Sequence, residues 1–169
     1  MIFVTVGAQM PFDRLVKAVD SWAARTARTD VFAQIGPKAW RPHHIKWTEW
    51  LNPFDFRDLV SRADLIVAHA GMGSILTAME FCKPILILPR RGDLHETRND
   101  HQLATARQFS SCTGIIVAFD EKELIRGLDG VENMVSGARI TGDASPMLIQ
   151  VLRRFIDIES VESVSSGRH

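Results

Sequence analysis

Short apolar runs alternate with amphipathic ones along most of this chain. Ile2–Val6, Val31–Ile35, Leu65–Ala70, Pro84–Leu88 and Gly114–Phe119 are compact, mainly apolar and rich in β-branched residues, the pattern of buried strands. Ile45–Leu51 predicts a further strand, third in chain order. Between them lie helical spacings. Pro11–Ala27 places Phe12, Leu15, Val16, Val19, Trp22 and Ala23 near one face. Phe54–Ala63 follows Asn52-Pro53, a cap residue and a first-turn proline. Ser74–Cys82, Asn99–Ser110 and Glu121–Leu128 complete the predicted helices. Strands apolar throughout and alternating with helices indicate a doubly wound α/β domain, a Rossmann-like parallel sheet covered on both faces.

In such sheets ligands bind beyond the carboxyl ends of the strands, and the polar signals gather there. Gly71-Met72-Gly73-Ser74 joins the fourth predicted strand to a helix. Glycine lets a backbone approach a ligand, and a helix N-terminus presents free N–H groups and a positive dipole end, so the turn favours a phosphate. A plain βα turn is the alternative. His69 precedes the turn and stands at the mouth of the expected site. Gly7-Ala8-Gln9 follows the first strand. After the fifth, PRRGDLHETRNDHQ (Pro89–Gln102) is too polar and too long for a simple connection. Arg90 and Arg91 suit carboxylates or phosphates, while Asn99, Asp100, His101 and Gln102 offer the mixed donors and acceptors that suit sugar hydroxyls.

Composition narrows the choices. Lys+Arg and Asp+Glu both total 20 in 169 residues, which argues against bulk nucleic-acid binding. No apolar run reaches bilayer-spanning length, and MIFVTVGAQ reads as a strand rather than a signal peptide. The expected location is therefore cytoplasmic. Cys82 and Cys112 match no metal or redox spacing and are expected buried and reduced. The six histidines lack metal-ligand spacing, and neither a metal nor a cofactor is expected. A dinucleotide fingerprint is half present, with Leu76 where its third glycine belongs; an NADP-binding oxidoreductase is kept as a minor alternative. Trp40, Trp47 and Trp50 cluster around the third strand, as core or as a partner surface.

The string HAGMGSILTAMEFCKPILILPRRGDLHETRNDHQLA, with TVGAQMPFDRLV at the start, resembles the donor-binding, C-terminal half of the family 28 glycosyltransferases. Within that family it is similar to the small subunits of two-part UDP-N-acetylglucosamine transferases and to bacterial exopolysaccharide glycosyltransferase subunits. The resemblance covers roughly residues 1–120. It implies the C-terminal half of a GT-B fold, with a UDP-sugar as substrate: N-acetylglucosamine, glucuronate or glucose. The diphosphate would lie on Gly71, Met72, Gly73 and Ser74, and uracil near Trp50 and Leu51. The sugar would meet Arg90, Arg91, Asn99, Asp100, His101 and Gln102, and Gly7, Ala8 and Gln9 would line the cleft. Transfer would invert the anomeric centre. His69 is the one local candidate for a catalytic base.

One position departs from the family pattern. Where many relatives carry a ribose-binding glutamate, this chain has Thr77, with Glu80 one turn further along the helix. The resemblance also implies a missing half: a membrane-associated, acceptor-binding glycosyltransferase subunit that recruits the chain to the membrane's inner face, and a lipid-linked saccharide acceptor. The leading expectation is thus a donor-binding, catalytic subunit active with its partner. The alternative is a non-catalytic scaffold that stabilises a partner transferase. Residues 1–158 are expected to form one domain. Its helix at 144–158, PMLIQVLRRFIDI within it, would be a docking element, and 159–169 a frayed tail.

Overall fold

The computed structural model describes residues 1–98 and 100–130. The expected docking helix at 144–158 and the tail at 159–169 lie outside the described residues, as does Asn99. In chain order the elements are β1 (Ile2–Thr5), α1 (Asp13–Thr26), β2 (Val31–Gln34), β3 (Lys46–Thr48), α2 (Pro53–Arg62), β4 (Leu65–His69), α3 (Met72–Glu80), β5 (Ile85–Leu88), α4 (His101–Phe109), β6 (Ile115–Val117) and α5 (Glu121–Asp129). All six strands pair in parallel, in the order β3-β2-β1-β4-β5-β6. The strand order reverses between β1 and β4. Connections leave in opposite directions there, which opens a crevice at the carboxyl edge.

Residue alternation divides the core between the two faces of the sheet. Ile2, Val4, Leu65, Val67, Leu86 and Leu88 point to one face, under Leu15, Val16, Val19 and Trp22 of α1 and Leu124 and Leu128 of α5. Phe3, Ile66, Ala68, Ile85 and Ile87 point to the other, under Val60 of α2, Ile75 and Met79 of α3, and Ala106 and Phe109 of α4. Each such large aliphatic side chain stabilises the fold by about 1.5–3 kcal/mol when fully buried.

Helix starts follow local chemistry. Asn52 accepts from the Asp55 amide at 2.9 Å and Asp120 from the Glu123 amide at 2.7 Å, so α2 and α5 have side-chain caps. Glycine caps α3 instead, with no side-chain bond. The buried Asp20 of α1 accepts from the main-chain amides of His43, His44 and Ile45 at 3.3, 2.8 and 3.0 Å. That contact fixes the loop entering β3.

Three expectations need correction. The third strand is Lys46–Thr48 rather than Ile45–Leu51. It is an edge strand with one neighbour, and Trp50 and Asn52 already belong to the turn into α2. The fourth helix begins at His101 rather than Asn99. Cys82 is exposed and Cys112 half-buried. Cys82 closes α3 in a left-handed conformation (φ 51°) that turns it outward.

Candidate functional site

A cleft of about 690 Å³ opens at the carboxyl edge of the sheet, over the β1/β4 reversal. Gly7, Ala8, Gln9 and Met10 from the β1–α1 loop form one wall. Trp50 and Leu51, between β3 and α2, and Pro53 and Phe56 of α2 form the second. His69 with Gly73, Ser74 and Thr77 of α3 makes the back, and Arg90, Thr97 and Gln102 close the side.

The two glycines of the α3 turn serve different purposes. A Cβ on Gly71 would stand 2.1 Å from Nε2 of His69, and one on Gly7 would stand 2.8 Å from Cε1 of the same ring. The imidazole is therefore wedged between two glycines, and Gly7 also has φ +81°. These residues are glycine because a ring occupies the space a side chain needs. At Gly73 a Cβ would meet nothing within 4 Å. That position faces open cleft. The first N–H groups of α3 have no intrahelical acceptor, and no acidic residue in the first turn neutralises the positive end of the helix.

The surroundings of His69 favour its neutral form. Burial, then the Arg90 charge, push its pKa down to about 4, against a weak pull from the Thr5 main chain. Nδ1 is buried without a well-aligned hydrogen-bond partner. A ring this weakly basic is neutral near pH 7 and draws little on a hydroxyl proton.

Other expected ligand groups are engaged by the fold. Arg90 is only 4% exposed. Its guanidinium donates to the carbonyls of Val6, Met10, Pro11 and Glu96 at 2.9, 2.7, 2.6 and 3.3 Å. Arg91 lies outside the cleft lining and forms a two-pronged pair with Asp93 at 3.0 and 2.6 Å. Neither arginine is placed to grip a sugar, nor the 2′-phosphate of NADP. Glu80 pairs with Arg57 at 2.5 and 3.1 Å, and that hydrogen bond holds its carboxyl below the usual range. It does not supply the ribose acceptor. Thr77 lines the cleft, but its hydroxyl donates to the Gly73 carbonyl at 2.8 Å. Asp100 accepts from the Gly92 amide at 3.0 Å, and Gln102 from the Arg90 amide at 3.0 Å. Gln102 lines the cleft; Met72, Asp100 and His101 do not. Among the described residues no group of three His, Cys, Asp or Glu is placed to hold a metal ion.

Sequence reasoning missed Thr5 and Gln34. Thr5 donates to Gln34 at 2.7 Å, Gln34 donates to the Gly7 carbonyl at 2.9 Å, and the Gly7 amide donates to Thr5 at 3.2 Å. This closed triangle sets the loop after β1. The available signal was a polar side chain near the end of each of two adjoining apolar runs.

A six-stranded parallel sheet with its cleft at the strand-order reversal is a Rossmann-like arrangement, the one typical of the C-terminal half of GT-B-type glycosyltransferases. The match is specific: residues 1–135 fit the glycosyltransferase family 28 C-terminal domain, and the chain belongs to that family. It is 25% identical over 133 residues to the UDP-N-acetylglucosamine transferase subunit ALG13 of Yarrowia lipolytica, a match over 71% of this chain and 65% of the relative. A solution structure of ALG13 superposes with a TM-score of 0.55 at 18% identity, over 78% of this chain and 85% of that one. The glycotransferase of kitacinnamycin superposes with a TM-score of 0.61 at 17% identity, over 90% of this chain but only 39% of that one.

These likenesses correct the expectation of a catalytic subunit. The similarity is to a transferase subunit. It favours the alternative, a non-catalytic subunit.

Proposed function

We propose that this chain is a non-catalytic subunit of a two-part UDP-sugar transferase, folded as one domain, which stabilises the partner that performs the transfer. One observation carries the reading. Among the described residues the exposed large apolar side chains are Met10, Trp50, Phe54, Leu94 and Phe119. All five sit on segments at the carboxyl edge of the sheet, and Met10 and Trp50 line the cleft itself; Trp50 is 62% exposed and Phe54 81%. Large exposed side chains gathered on one edge mark an interaction surface, and Trp, Phe and Met are the types enriched in interface cores. The relatives named above support a two-part assembly.

In this reading the cleft becomes an enclosed space only when the partner covers it. The bare amides of Gly73 and Ser74 then form one side of a pocket for the donor diphosphate, with Trp50 and Leu51 beside the base. The acceptor is a lipid-linked saccharide held by a membrane-associated partner, at the cytoplasmic side. Among the described residues no helix is long and apolar enough to cross a membrane, so on this proposal attachment comes through the partner. The test is calorimetric titration of the co-expressed partner with wild-type chain and with the Trp50→Ser, Phe54→Ser double variant. Removing two central aromatic anchors is expected to weaken binding by about 30-fold or more. Unchanged affinity rejects the surface.

A further inference from the structure

Arg90 is a buried cation to which the cleft assigns no task. Among the described residues it has no carboxylate within ion-pair distance, and its partners are main-chain carbonyls. Three of these, Val6, Met10 and Pro11, come from the β1–α1 loop, and one, Glu96, from the β5–α4 loop. The guanidinium also lies 4.7 Å from the centre of the Phe12 ring. The Glu96 carboxylate, in turn, takes Arg14 of α1 in a bidentate grip at 2.7 and 2.9 Å and accepts from the Arg91 amide at 3.0 Å. Two loops thus converge on one planar charge, and α1 is tied to one of them through Arg14. Without it, several carbonyl oxygens would face one another in a poorly hydrated space. Nothing else nearby matches a planar fork of five donors.

We infer that Arg90 is a positioning residue, an internal strut that makes the β1–α1 and β5–α4 loops a single rigid wall and so presets the rim carrying Met10 and Leu94. The effect on docking rests on the proposed function; the strut does not. A preformed rim avoids ordering loops at the moment of association, so loosening it shows mainly as faster dissociation. Lysine is a poor replacement, because a point ammonium cannot span four carbonyls drawn from two loops.

The experiment compares wild-type chain, Arg90→Lys and Arg90→Ala by 15N relaxation. The Arg90→Ala variant is measured alone, with ethylguanidinium and with methylammonium. Loop amides at Ala8, Gln9 and Met10 are expected to fall from order parameters of about 0.85 to below about 0.6 in both variants, while β4 amides hold. Ethylguanidinium restores the loop in Arg90→Ala, and methylammonium does not. Partner dissociation accelerates about tenfold in both variants, and ethylguanidinium reverses this for Arg90→Ala. If Arg90→Ala folds only in ethylguanidinium, the strut is equally supported. A rigid loop in Arg90→Lys overturns the inference, as does β4 loosening as much as the loop, or an absence of rescue. Failure of the wild-type chain to bind the partner sinks the docking reading alone, because the relaxation arm still decides the strut.

Discussion

Replacing Gly71 with alanine would drive a methyl group into His69. The built Cβ stands 2.1 Å from Nε2, 2.8 Å from Cδ2 and 2.9 Å from Cε1. The ring cannot simply retreat, because its other side faces Gly7, where a Cβ would already sit 2.8 Å away. Overpacking of this kind costs about 1–3 kcal/mol. For a chain of this length each kcal/mol lowers Tm by roughly 2–4 °C, so Gly71→Ala is expected to lose roughly 2–12 °C. Gly73→Ala is the internal control. Its Cβ meets nothing within 4 Å, and alanine in a helix is favoured over glycine by roughly 0.5–1 kcal/mol, so its Tm holds or rises. The assay is thermal unfolding by circular dichroism on both variants and on each combined with His69→Ala. With the ring removed, Gly71→Ala is expected to cost little, an interaction visible only in the double-mutant cycle. If Gly71→Ala matches Gly73→Ala in stability, or costs as much without His69 as with it, the wedge is refuted.

Acid is expected to destabilise the fold through His69. The folded ring titrates at about 4, below its ordinary 6.5. The unfolded chain therefore takes up a proton first, and stability falls as pH drops from 6.5 towards 4. The loss is on the order of 3 kcal/mol. Urea titrations across that range test this, and His69→Gln is expected to flatten the slope. Asp20→Ala leaves the amides of His43, His44 and Ile45 without their shared acceptor, and is expected to cost about 3 kcal/mol in urea unfolding. A loss below about 0.5 kcal/mol would mean that water replaces the carboxylate. Gly73→Val, which fills open cleft, is expected to weaken UDP binding by the assembled complex at least tenfold while Tm changes little; undiminished affinity by calorimetry excludes a diphosphate from that turn.

The architecture was legible because its signals are local. Ile85–Leu88 is apolar at every position because helices cover both faces of β5, and the Asn52-Pro53 start of α2 is written in two residues. Cleft walls such as Gly7, Gln9 and Gly73 were legible by the same logic, since strand ends and glycine turns announce the carboxyl edge. Side-chain partnerships across the fold were not. Arg90 reads in sequence as an exposed phosphate or sugar grip, yet it meets carbonyls 79 to 84 residues away. Glu80 reads as a reserve ribose ligand, yet Arg57 from the preceding helix claims it. The same blindness hid the Thr5–Gln34–Gly7 triangle. Chain spacing does not reveal which distant polar group will satisfy a buried one, and the fold answers that before any ligand arrives. The catalytic expectation was overturned by something else, the likeness to a transferase subunit, which no single residue of the chain announces.

Sugar transfer from a UDP-sugar, measured for this chain alone, for the partner alone and for the complex, tests the central claim most directly when His69→Gln is included in the complex. A non-catalytic subunit gives no turnover by itself, and its His69→Gln complex turns over like wild type once assembled. Turnover by the isolated chain contradicts it. So does a loss of about 100-fold or more in kcat for the His69→Gln complex, with assembly and Tm intact.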